Sequence, residues 1–128
     1  MKNILYTIIL IFINISNSYS EIICEPTVAQ SCNKKGCEKI TDPDSSTIIK
    51  SLASSDIYLR CNKNLKDCLE AKIIQKDTSG IWNIFYSTSG SFIKIAGLDN
   101  YVEEYIEIVT SLTATTTYWG ICKKSNKY

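Results

Sequence analysis

The chain has 128 residues, enough for one domain and too few for two. It carries 14 basic and 13 acidic residues and no histidine. The even charge argues against a nucleic-acid partner, which is held by an excess of Lys and Arg against phosphates. The missing imidazole removes the commonest general base and metal ligand, so neither a Ser-His-Asp nor a Cys-His arrangement can be built here.

Residues 1–20 read as a cleavable signal peptide. Lys2 supplies the positive start, Ile4 to Ile15 is apolar apart from Thr7 and Asn14, and small residues stand at Ser18 and Ser20, which places the cut after Ser20. A 12-residue helix spans only about 18 Å, short of a hydrocarbon core of roughly 30 Å, so no stable membrane anchor is expected after cleavage. Lys2 is the only charged residue of the segment, and its removal leaves 13 basic and 13 acidic residues. The mature chain is expected in the periplasm or secreted.

Residues 21–46 are polar and cysteine-dense, with Pro26, Gly36 and Pro43, and show no clear period. They read as a loop-rich N-terminal arm. All six cysteines, Cys24, Cys32, Cys37, Cys61, Cys68 and Cys122, fall after the leader. An even number in a small exported chain points to a disulfide framework. Cys61 and Cys68 flank a short loop between adjacent strand-like runs, which suits a bridge across a hairpin. Cys122 is expected to tie down the arm through Cys24, Cys32 or Cys37, leaving the other two to pair with each other. None of the close spacings is that of a zinc knuckle or a Cys-x-x-Cys redox site.

Residues 47–122 are strand-like throughout. The pattern predicts strands over 47–52, 57–61, 68–75, 81–86, 91–96, 101–109 and 112–122, separated by turn chemistry such as Asp77-Thr78-Ser79-Gly80 and Thr88-Ser89-Gly90. Asp42-Pro43 could instead start a short helix through Leu52, but β-branched Thr47, Ile48 and Ile49 favour strand. The run 81–86 is apolar on both faces and reads as central. On 101–109, Val102, Ile106 and Ile108 mark the core face, and Tyr101, Glu103, Tyr105 and Glu107 the opposite one. Residues 123–128, with Lys123, Lys124 and Lys127, read as a basic tail. The expected fold is all-β: an antiparallel meander forming a small barrel-like sandwich, disulfide-stabilised, with the arm attached.

No catalytic residue, cofactor or metal is expected. Glu103 and Glu107 stand about 13 Å apart along a strand, beyond the separation of glycosidase pairs. Asp42 and Asp44 are too few for a calcium site. The candidate binding face is Tyr101, Glu103, Tyr105 and Glu107, whose rings would suit a protein pocket or a glycan.

Two resemblances bear on function. Tyr58-Leu59-Arg60-Cys61, Cys68, Gly80-Ile81-Trp82-Asn83-Ile84, Tyr101-Val102-Glu103 and Gly120-Ile121-Cys122 together resemble a pattern of small exported bacterial β proteins that contain disulfides and have no assigned function. That resemblance covers about half the chain; its motifs are structural in kind and bring no activity with them, and the reading taken from the chain as a whole is a non-catalytic structural or binding module. Ser87-Thr88-Ser89-Gly90-Ser91-Phe92 is similar to the inhibitory loop of small periplasmic lysozyme inhibitors, which implies a disulfide-closed barrel that plugs an enzyme cleft through residues 87–92. Lys94-Ile95-Ala96 departs from the Lys-Gly element those inhibitors carry next.

Overall fold

The computed structural model describes residues 19–52, 55–96 and 102–127; most of the proposed leader, and Tyr101, lie outside them. Among the described residues the chain forms nine strands: β1 (Tyr19–Asn33), β2 (Gly36–Thr41), β3 (Ser46–Ser51), β4 (Asp56–Cys61), β5 (Leu69–Asp77), β6 (Trp82–Ser87), β7 (Phe92–Ala96), β8 (Val102–Thr110) and β9 (Ala114–Lys127). From β3 to β9 each strand pairs antiparallel with the next, as the regular turn spacing predicts. β9 then pairs along β1, and Ser20–Cys24 of β1 pairs with β3, which closes an eight-stranded antiparallel barrel. β2 is an extra strand on Val28–Asn33 of β1.

The arm expected to be loop-rich is therefore two strands. β1 serves β3 along its first part and β2 along its second, and a register shift between Pro26 and Val28 moves it from one to the other. That extra residue breaks the period of two on which strand recognition rests, so the segment lacks alternation although it is extended. Gly120 faces this crossing: a Cβ there would stand 2.1 Å from the Glu25 carbonyl oxygen, so no larger residue fits without moving backbone. The tail is corrected too, since β9 continues through Lys127 beside Tyr19.

Eight strands enclose a space that side chains just fill. Ile22, Ile49, Phe85, Ile93, Ile95, Tyr58 and Tyr105 pack there around the Cys24–Cys122 bridge, with Ala71 and Ile73 against them. The three bridges are Cys24–Cys122, Cys32–Cys37 and Cys61–Cys68. Cys61–Cys68 closes the β4–β5 hairpin at a Cα separation of 4.0 Å. Cys24–Cys122 joins the two strands that close the ring.

Two face assignments reverse. β6 is not covered on both sides: Phe85 and Ser87 point inward and are buried, while Trp82 and Ile84 are part-exposed and Tyr86 exposed. The outer face of β6 meets water, and the strand covered on both sides is instead β3, where Ser46, Thr47, Ile48 and Ile49 are all buried. On β8, Tyr105 and Glu107 are 2% and 1% exposed, while Ile106 and Ile108 point outward and remain part-exposed.

Candidate functional site

One end of the barrel gathers most of the polar chemistry. Glu107, inward on β8, receives a hydrogen bond from Thr47 Oγ1 of β3 at 2.7 Å, one from the Tyr58 hydroxyl of β4, and one from Arg60 Nη1 at 2.7 Å. Arg60 also donates from Nη2 to Ser45 Oγ at 2.8 Å, and its guanidinium lies 4.2 Å from the centre of the Tyr118 ring. The register explains the gathering. Glu107 pairs with Tyr118 across β8–β9, so both share the inner face, and Thr47 pairs with Arg60 across β3–β4.

A buried carboxyl is costly unless donors and a counter-charge surround it, and here two strands, β3 and β4, supply them. Burial, and next Glu107 itself, push the Tyr58 hydroxyl far above its usual range, which keeps it a donor. Burial opposes the charge on Arg60, but Glu107, Tyr118 and Tyr58 together hold its pKa above the ordinary arginine value. Burial also raises Tyr105, with Glu107 adding to the shift, and its hydroxyl has no hydrogen-bond partner among the described residues.

The candidate binding face is not displayed as a face. Tyr105 and Glu107 are interior groups, Tyr101 lies outside the described residues, and Glu103 is described only by its backbone, which pairs with Cys122. The strand does alternate as expected; its inner and outer sides are exchanged, because Glu107 meets Arg60 inside. Arg60, Tyr58 and Thr47 join Glu107 without any of them being a site residue expected from the sequence. One signal for them was present: Arg60 is the sole arginine among the 14 basic residues. A guanidinium, with its fork of donors and weak hydration, suits a buried carboxylate better than an ammonium does.

Residues 87–92 form the β6–β7 turn at the same end. Ser87 N donates to the Ser91 carbonyl at 2.9 Å, the Ser87 and Ser89 hydroxyls meet at 2.7 Å, and Gly90 takes a positive φ of 84°. Ser87 and Ser91 are buried, so only Thr88, Ser89 and Gly90 stand out as a short, stiff tip. Ser89 and Ser91 share a shallow hollow of about 170 Å³ with Tyr58, Arg60 and Thr110. The turn and the Arg60 cluster, nominated by unrelated signals, thus lie beside each other.

A larger concavity, about 650 Å³, lies on the outside where β1 changes partner. Ile23, Pro26, Pro43 and Ile121 line it, and Lys63 braces its wall by an ion pair to Asp42 at 2.6 Å and a backbone bond to Asp44 Oδ1 at 2.8 Å. Among the described residues no group of three or more His, Cys, Asp or Glu is placed to hold a metal ion. Compared with known proteins, the chain matches no protein family, no curated protein and no solved structure.

Proposed function

We propose that the chain is an exported, non-catalytic binding module working in the periplasm or outside the cell. One observation carries this reading: both oxygens of Glu107, the acid buried at the candidate site, are taken by Thr47, Tyr58 and Arg60. An acid so engaged, and only 1% exposed, ties strands together and is closed to a substrate. The three disulfides suit an oxidising compartment. The resemblance to small exported bacterial β proteins agrees in kind, since its elements carry the frame here. Tyr58 and Arg60 hold Glu107, Gly120 admits the β1 crossing, and Cys61, Cys68 and Cys122 form bridges.

The test is titration of the oxidised protein, followed by NMR, with lipid, glycan and protein fractions of a bacterial envelope. The expected result is saturable shifts confined to one surface, with every component recovered unchanged. Covalent change in any component overturns the non-catalytic reading, and silence with all fractions overturns the binding reading.

The stiffness of the 87–92 turn favours a second reading, a lysozyme-type inhibitor that acts through that tip. In that case equimolar protein slows lysozyme and Ser89→Ala relieves the inhibition. Undiminished lysozyme activity in excess protein ends this reading.

A further inference from the structure

The alternation that buries Glu107 turns an apolar surface outward. Cross-strand partners share a face, so the ladders of β6 to β9 define rows on the outside of the barrel. One row reads Ile84, Lys94, Ile106, Trp119, and the next reads Tyr86, Phe92, Ile108, Thr117. Trp82 adds to the first row's edge, its ring 4.3 Å from Lys94 Nζ. All these side chains are part-exposed or exposed. Apolar side chains fill both rows except at Lys94 and Thr117, and the largest apolar patch on a monomer is often a functional one.

We infer that this face is a reversible docking surface for an anionic lipid bilayer. The inference rests on the binding-module reading and names its partner. Two observations choose the occupant. The first is extent: four strands at about 4.8 Å spacing by the two outward rows cover roughly 260 Å². Two copies face to face would bury about 520 Å², short of the roughly 1,200 Å² of a stable interface.

The second is Lys94. It sits within the apolar rows between Ile84 and Ile106, and among the described residues no carboxylate lies within ion-pair distance of it. A two-fold contact centred on Lys94 would bring the two copies' ammonium groups together, and any dry protein partner would have to strip the ammonium of water. At a bilayer surface the same ammonium reaches the phosphates while its stem lies along apolar groups, and Trp, Tyr and Phe rings settle at headgroup depth. Glu104 and Glu25 flank Ile121 on its two sides and mark where the face ends.

The test is co-sedimentation of the oxidised protein with vesicles of phosphatidylcholine alone and of phosphatidylcholine with phosphatidylglycerol. The expected result is binding to the anionic vesicles that weakens with added salt. Ile106→Glu and Phe92→Glu each lower the affinity by about tenfold or more, Lys94→Glu removes the preference for the anionic lipid, and Leu112→Glu, at the exposed β8–β9 turn, changes nothing. Near-ultraviolet circular dichroism checks that each variant keeps its fold. The wild-type comparison between the two vesicles and its salt response stand even if a variant does not fold. Wild-type protein that stays in the supernatant with both vesicles overturns the proposal, as does a concentration-dependent dimer broken by Ile106→Glu. If the vesicles fail while envelope fractions still shift the spectrum, the binding module survives without its lipid partner. If both are silent, both readings fall.

Discussion

The two sides of β8 make opposite use of water. Inside, Tyr105 and Glu107 are sealed among Tyr58, Arg60 and Thr47; outside, Ile106 and Ile108 remain in partial contact with solvent. Hydropathy alone would have turned the strand over. What decides is complementarity: a buried acid is matched to the half-buried Arg60 guanidinium, and a strand that delivers the acid must turn its isoleucines out, because successive side chains point to opposite faces. A polar face with a matching partner can be the inner one, and an apolar face without one can be the outer.

This contrast can be tested first where it should cost most. Arg60→Met leaves the buried Glu107 carboxyl without its counter-charge and should lower stability by about 3 kcal/mol, read from denaturant midpoints. Adding Glu107→Leu should restore most of the loss; no recovery would mean the two residues do not act as a pair. Tyr58→Phe removes one donor to Glu107 and should cost about 1–3 kcal/mol.

Alkaline titration probes the same interior. Both buried tyrosines have folded pKa values raised above the free value of about 10. A raised folded pKa means the contribution is complete below the unfolded value and is lost as pH climbs toward the folded one. Thermal stability should hold up to about pH 10 and fall above it. Tyrosinate absorbance from these two rings should appear only with unfolding.

Smaller effects separate the faces further. Tyr105→Phe deletes a buried hydroxyl that lacks a partner among the described residues. It should be neutral or stabilising by up to about 1 kcal/mol, in contrast to Tyr58→Phe. Ile106→Thr, on the outer face, should change stability by no more than about 0.5 kcal/mol while weakening any surface association. A large loss there would mean the outward isoleucine is structural.

Strands β3 to β9 were legible because each is a run of strand formers set off by turn residues, and six antiparallel ladders follow from that order. β1 and β2 were not. β1 changes partner at Pro26–Val28, so its inner residues, Ile22 and Cys24 before the shift and Ala29 after it, fall out of step. The Cys61–Cys68 bridge was legible because a hairpin brings its ends together. Cys24–Cys122 was open to choice because it depends on which strand closes the ring. The Glu107 cluster was hidden for a different reason. Glu107 stands 47 to 60 residues from its three donors in the chain, and no local pattern reports a meeting of that range.

The ring closes between its first strand and its last. β1 leads the chain, yet its long edge has nothing to pair with until β9 exists, and the bond from Cys24 must wait for a sulfur 98 residues downstream. A polypeptide threaded through a membrane N-terminus first would hold that leading edge open for nearly the whole passage. Its assembly clock is therefore set by arrival of the final strand, and a chain stalled before Gly120 would present its oldest segment as an unmatched hydrogen-bonding template to whatever chaperone or neighbour stands nearest.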